Sequence, residues 1–219
     1  MKLIKNIPFL IALLLLSTAC SKDKSVDSST NVGYQEQYNQ DILKIETYLK
    51  THAVVVVNNP GFANDQDATF STVPNLDPSS IWGSDAVTPK TNLLFKNATF
   101  AGVVHKIYYL KFRQGIGTTP TLNNQITAYY KGFLLNDSVF DMSNANGATF
   151  PLNGLILGWQ EIFPEFKSGI TGAGNQMEEF GAGAMFLPSA YAYYNLGSGN
   201  GVIPPYTPIA FNFKLFKVL

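Results

Sequence analysis

The alternation of apolar and polar residues is clearest at the end of the chain. Ile209, Phe211, Phe213 and Leu215 alternate with Ala210, Asn212 and Lys214, and this period of two predicts a half-buried antiparallel strand over Ile209 to Val218. Val104 to Phe112, Ile126 to Leu135 and Ala184 to Leu187 predict further strands, with Gly115-Ile116-Gly117 and Pro120 marking a turn. A short helix is predicted from Gly158 to Lys167, with Trp159, Ile162, Phe163 and Phe166 on its buried side and Pro164 distorting it. A second helix, Asn39 to Thr51, puts Ile42, Ile45 and Leu49 on one face and pairs Glu46 with Lys50. That face packs on a neighbouring element or on a second copy. Val54 to Val57 is a β-branched run closed by Asn58-Asn59-Pro60-Gly61.

From Phe62 to Thr99 the chain is rich in Pro, Asp, Asn, Ser and Thr. It reads as an irregular insertion with one or two short strands, anchored by Ile81, Trp82, Leu93, Leu94 and Phe95. Asp65 and Asp67 form a lone Asp-x-Asp without the further ligands of a calcium loop, so they read as a solvated turn. Many strands around one short helix predict an α+β fold, the helix lying on a curved antiparallel sheet.

Composition narrows the chemistry. The chain is 46% hydrophobic and 14% charged, which fits a packed globule rather than a disordered chain. Formal charge is zero; without Lys2 and Lys5 of the leader, 13 basic residues face 15 acidic ones, about −2. The chain has a single arginine, Arg113, and no basic cluster, which argues against nucleic acid as a partner.

The N-terminus carries a basic pair, Lys2 and Lys5, then ten apolar residues from Ile7 to Leu16, then Ser17-Thr18-Ala19 before Cys20. Ten residues span about half of a ~30 Å bilayer core, so residues 1–19 read as a secretory signal rather than a membrane span. Cys20 is the only cysteine and has no partner for an intrachain disulfide. Residues 20–38 read as a polar tether beginning at that cysteine, residues 39–102 as a helix with an irregular extension, and residues 103–219 as the main domain.

In the last ninety residues the large side chains recur in a set order: Tyr129-Tyr130-Lys131-Gly132, Val139-Phe140-Asp141-Met142, Leu155-Ile156-Leu157-Gly158-Trp159, Ala190-Tyr191-Ala192-Tyr193, Val202-Ile203-Pro204-Pro205 and Ile209-Ala210-Phe211. They bring no histidine, thiol or metal-binding cluster. Such a set is suited to gripping an apolar residue and stripping water from it, which points to proline. No cofactor and no metal is implied. His52 and His105 fall outside these motifs and read as surface or strand residues.

In this order and spacing the motifs resemble the FKBP-type peptidyl-prolyl isomerase domain, from Tyr130 to Val218 with Val103 to Ile126 as its first strands. The resemblance implies a five- or six-stranded antiparallel half-barrel wrapped around one helix. Trp159 is then the floor of a proline pocket and Tyr130, Phe140 and Phe211 its walls. Leu155 and Ile156 form one lip, with the Ile156 N–H meeting a peptide carbonyl, and Val202 and Ile203 form the other. Tyr193 aims its hydroxyl at the substrate carbonyl, Asp141 hydrogen-bonds Tyr130 at the edge, and Phe150 matches an aromatic in the adjoining strand. Cys20 resembles the lipidation site of a bacterial lipoprotein, although Ser17 stands where a lipobox usually has Leu.

Three features depart from the family pattern. Ser143-Asn144-Ala145-Asn146-Gly147 lacks the basic residue that often follows the Phe-Asp motif, Tyr194 replaces a glycine beside the pocket tyrosine, and Ile170 to Phe180 is extra. The expected function is isomerisation of X-Pro bonds in exported polypeptides by a protein held through Cys20 to an envelope membrane, with the outer membrane expected. The alternative is a weak or inactive FKBP-like binding or chaperone module on such a lipoprotein. The helix from Asn39 also allows a homodimer.

Overall fold

In a computed structural model the structure describes residues 28–172, 177–198 and 201–219. The leader and Cys20 lie outside the described residues. The first element, α1 (Ser28–Thr51), is a 24-residue helix. It starts ahead of the expected Asn39, so residues 28–38 are helix and not tether. Gln, Glu, Lys and Leu are good helix formers, and Glu46 and Lys50 pair at 3.8 Å across one turn. The helix ends where the β-branched run makes strand formation more favourable. There β1 (His52–Val56) begins at once and pairs antiparallel with β2 (Ala68–Thr72).

The remaining strands are β3 (Leu93–Phe100), β4 (Val103–Arg113), β5 (Gln125–Leu134), β6 (Val139–Met142) and β7 (Ala148–Pro151). After α2 (Leu157–Ile162) come the short hairpin β8 (Ile170–Thr171) and β9 (Met177–Glu178), then β10 (Gly181–Leu187) and β11 (Ile209–Val218). The main sheet has seven strands in the order β3-β4-β10-β11-β5-β6, with β7 pairing the other end of β5. That exceeds the expected five or six because β3, from the segment read as an irregular extension, pairs along the whole of β4 from Leu93↔Leu110 to Phe100↔Val103. Pro164 distorts the helix as expected: the α-helix ends at Ile162 and passes into a 3₁₀ turn, Phe163–Glu165, with Pro164 in its first turn, where a missing N–H costs little. The extra segment is the β8–β9 hairpin, of which residues 173–176 lie outside the described residues.

The expectation of a half-buried β11 needs correction, because both of its faces are covered. Ile209, Phe211, Phe213 and Leu215 join Trp159, Ile162, Phe163 and Phe166 in the inner core under α2. Ala210 faces the other way, into a second core made by Ile45, Tyr48 and Leu49 of α1 with Ile81, Trp82, Phe133 and Phe186. The apolar face of α1 therefore packs on its own sheet. Burying each of these large side chains is worth about 1.5–3 kcal/mol, so the extension is a second wall of the domain rather than an appendage.

The polar positions of β11 show how that wall is fastened. Lys214 is buried on the outer face, and its Nζ donates to Asp67 at 2.6 Å and to the carbonyl of Ala63 at 3.2 Å. Arg113 Nη1 donates to Asp65 at 2.8 Å. The Asp-x-Asp is thus not simply a solvated turn: Asp65 is buried, and although Asp67 stays half exposed, each carboxylate meets a cation of the sheet. His52 and His105 are strand residues but not surface ones. His52 stacks on Tyr48 with ring centres 3.7 Å apart, and His105 packs against Tyr38 at 4.5 Å. Among the described residues no helix is long and apolar enough to cross a membrane, and no group of three or more His, Cys, Asp or Glu side chains is placed to hold a metal.

Candidate active site

The central strands place the aromatic residues. Gly132 of β5 lies opposite Phe211 of β11 on one side and Asp141 of β6 on the other. A Cβ on Gly132 would stand 2.5 Å from Phe140 Cζ and 2.7 Å from Phe211 Cε1, closer than atoms can approach. Glycine is needed here so that two phenyl rings can close over the strand. Phe140 and Phe211 then meet edge to face, centres 5.5 Å apart and planes at 88°.

Trp159 comes from the first turn of α2 and closes the floor. Its ring is 5.2 Å from Phe211 at 89° and 5.2 Å from Tyr130 at 75°. Phe163 backs it from below at 5.0 Å, and Phe150 of β7 stands 6.2 Å away at 88°. Near-perpendicular contacts suit the ring quadrupoles and hold the rings as a rigid box. The glycine before the tryptophan has a packing reason, because a Cβ on Gly158 would lie 2.5 Å from both δ-carbons of Leu187. The Trp159 indole N–H is buried with no acceptor among the described residues, a feature that opposes stability and is typical of functional sites.

One edge of the box is polar. The Tyr130 hydroxyl donates to Asp141 at 2.8 Å. Burial, then this hydrogen bond and the Asp141 charge, push the phenol up to about 12, so it stays a neutral donor at any physiological pH. Tyr193 is partly exposed nearby, and burial followed by the Asp141 charge raises its hydroxyl too. Among the described residues no ion pair includes Asp141. The residues in place of the expected basic partner serve the backbone instead: the Tyr130 N–H donates to Ser143 Oγ at 3.2 Å, and the Ser143 N–H donates to the Tyr130 carbonyl at 3.0 Å.

The lips differ from each other. Leu155 and Ile156 are half-buried at the entry to α2, and the Ile156 carbonyl accepts from the N–H groups of Trp159 and Gln160. On the opposite side Val202 is exposed, whereas Ile203 is buried in the inner core with Trp159 and Tyr191, so Ile203 supports the rim from beneath. The structure therefore brings Tyr130, Phe140, Phe150, Trp159 and Phe211 into one cluster, with Asp141 and Tyr193 at its edge. Cys20 lies outside the described residues.

Where a glycine would stand, Tyr194 could crowd the rim or demand a different backbone, and the structure shows the second. Its backbone is left-handed, φ 44°, the region a glycine would favour. Its ring turns to α1, where it stacks on Tyr34 at 5.3 Å and meets Phe100 at 5.8 Å and Tyr206 at 5.2 Å. Sequence reasoning missed this link between α1 and the site loop. In the sequence Asp41 suits the first turn of a helix from Asn39; only the start at Ser28 makes it a mid-helix aspartate in need of partners.

Comparison with known proteins gives the family of the chain. Residues 117–216 match the family model of FKBP-type peptidyl-prolyl cis-trans isomerases. The chain is 35% identical over 114 residues to peptidyl-prolyl cis-trans isomerase Mip of Coxiella burnetii, covering 51% of this chain and 44% of that protein. It is 33% identical over 131 residues to the FKBP-type 22 kDa peptidyl-prolyl cis-trans isomerase of Escherichia coli, covering 58% of each. It is 31% identical over 110 residues to an FK506-binding protein of Neisseria meningitidis serogroup A, covering 48% of this chain and 90% of that one. The match thus spans about half the length of the larger relatives and nearly all of the small one. The chain belongs to the FKBP-type peptidyl-prolyl cis-trans isomerase family.

Proposed function

We propose that the chain catalyses cis–trans isomerisation of X-Pro peptide bonds, taking proline-containing polypeptides in the aromatic box. The observation that carries this reading is the closure of Trp159, Tyr130, Phe211 and Phe140 into one box, with a single polar edge at Tyr130–Asp141. Rotation about X-Pro meets a barrier of ~18–20 kcal/mol because it breaks amide resonance. The resonance form is charge-separated and favoured by water. Moving the amide into an apolar box weakens that resonance, and binding the twisted amide better than either planar form accelerates the turn.

In this mechanism the proline ring stacks on Trp159 between Phe140 and Phe211. The Ile156 N–H fixes the peptide by one carbonyl, and the Tyr193 hydroxyl donates to the carbonyl that twists. Leu155 and Val202 touch the flanking residues. Asp141 orients Tyr130 and adds a local field; it moves no proton. No bond to the substrate forms, so no nucleophile is needed.

The same proposal covers location and clients. Residues 1–19 direct export, Cys20 takes the lipid, and the domain assists folding of exported proteins at the envelope membrane. The sequence Ser17-Thr18-Ala19-Cys20 after an apolar run supports it. Metabolic labelling with a palmitate analogue tests it: label lost in Cys20→Ser supports the anchor, and label unchanged contradicts it. Pairing of two chains through α1 would use its outward face, where Leu43 is exposed; sedimentation of the full-length chain reads this directly. The activity is tested on an X-Pro tetrapeptide, following cis-to-trans conversion at catalytic amounts of the full-length chain. Accelerated conversion supports the reading. A folded chain that leaves the uncatalysed rate unchanged contradicts it.

A further inference from the structure

We infer that Asp41 of α1 is a positioning residue for the site, holding the loop that carries Tyr193 by capping it from a distant part of the sequence. The inference rests on the isomerase reading for its effect on turnover, but not for its effect on the loop.

Asp41 lies in the middle of α1, a position where aspartate is a poor helix former, and it is 1% exposed. A buried carboxylate is costly unless fully hydrogen-bonded. Here Oδ2 accepts from the Ser189 N–H at 2.7 Å and from the Ser189 hydroxyl at 2.5 Å, and Oδ1 accepts from Gln37 Nε2 at 2.8 Å. Burial pushes the carboxyl up from its ordinary value, while the Ser189 and Gln37 bonds pull it down. Ser189 opens the 3₁₀ turn Ser189–Tyr191, whose own flanking residue, Pro188, supplies no side-chain cap. The cap comes instead from α1.

Directly after that turn the chain forms the rim of the box. The Tyr194 N–H returns to the Ser189 carbonyl at 2.9 Å, so Tyr193 is tied to whatever fixes Ser189. The same helix holds the far end of the loop. Tyr34 stacks on Tyr194, the Tyr194 carbonyl accepts from the Tyr206 N–H at 2.7 Å, and Gln37 donates to the Tyr206 carbonyl at 3.3 Å. Gln37 thereby joins the two clamps, since one amide reaches both Asp41 and Tyr206. A helix outside the region matched by the family model therefore sets where the Tyr193 hydroxyl stands.

The test uses the full-length chain with Asp41→Ala, Asp41→Asn and Ser189→Ala, and Glu46→Gln as a control. Glu46 is bonded to Tyr108 elsewhere on α1, so its change reports general loosening of the helix. Two readouts are taken: amide hydrogen exchange over residues 189–198, and kcat and KM on an X-Pro peptide. Asp41→Ala is expected to speed exchange at Ala192 and Tyr194, whose N–H groups donate to the Ser189 carbonyl, by about ten-fold and to lower kcat by a similar factor, with KM nearly unchanged. Asp41→Asn keeps an oxygen for Ser189 but turns an N–H towards Gln37, whose amide must flip and release Tyr206; it is expected to restore most of the protection near Ser189 and most of kcat, which a merely structural loss would not do. Glu46→Gln should leave loop exchange as in wild type.

Folded Asp41→Ala with wild-type exchange over residues 189–198 overturns the inference. Should Asp41→Ala not fold, Ser189→Ala decides, because it removes one of the two loop bonds: faster loop exchange supports the inference and unchanged exchange overturns it. A wild-type chain without isomerase activity sinks the catalytic reading alone, and the exchange data still decide whether Asp41 holds the loop.

Discussion

Tyr194 stacks on Tyr34 with ring centres 5.3 Å apart and planes only 23° apart, while its own backbone sits at φ 44°. The stack joins the site loop to α1 and offsets an unfavourable backbone. Left-handed φ costs a non-glycine residue about 1–2 kcal/mol, whereas each aromatic pair returns about 0.5–1.5 kcal/mol beyond its burial. Tyr194 has three such partners. Tyr194→Gly is therefore expected to relieve the backbone and still lower stability, by about 1 kcal/mol, in chemical denaturation. A stabilised Tyr194→Gly would show that the stack contributes little.

Gly132 sets the box from below. Gly132→Ala should push Phe140 or Phe211 out of the edge-to-face pair and cost about 1–3 kcal/mol of stability, as overpacking does. Affinity for a prolyl peptide should fall with it, read by Trp159 fluorescence on titration. Unchanged affinity would mean that the two rings are not walls of the binding site.

The anchors of the extension predict an acid response. Burial pushes Asp65 up, but the bonds from Asn59, Arg113 and Gln66 together win and hold it below its ordinary value of 3.8. A depressed carboxyl contributes stability that is complete above that value and is lost as pH falls through the folded-state value. Asp65→Ala should remove this acid dependence and, by leaving Arg113 largely buried and unpaired, cost about 3 kcal/mol at neutral pH. Denaturant unfolding of both forms at neutral and acid pH checks it.

The sign is opposite for Tyr130. Its hydroxyl is raised from 10.0 to about 12 by burial first and by Asp141 second. The neutral phenol is the favoured form in the folded chain, so its contribution is whole below pH 10 and fades as pH rises through about 12. Burial also raises Tyr48, Tyr108 and Tyr191, so titration of phenolate absorbance should show a group of late-ionising tyrosines that loses one member in Tyr130→Phe. Loss of the same signal in Asp141→Ala would not follow, because burial remains the larger cause.

The strands and the box were legible because their signals are local or ordered. Period-two alternation marked β11, and the spacing of Tyr130, Phe140, Trp159 and Phe211 marked the cluster. The second core was hidden. Nothing local tells that Ala210 and Lys214 face another layer, because what covers them, Ile45, Trp82 and Asp67, is remote in sequence. For the same reason Asp65 and Asp67 read as solvent-facing, and the stack of Tyr194 on Tyr34 left no trace in the sequence. Charge pairs and stacks across long separations leave no periodic trace, so the role of α1 became visible only with the fold.

The most direct measurement compares kcat/KM for an X-Pro peptide between the wild-type chain and Phe140→Ala, with circular dichroism confirming that both are folded. The account predicts a fall of about 100-fold, since removing one wall readmits water to the twisting amide. A folded Phe140→Ala as fast as wild type would contradict it.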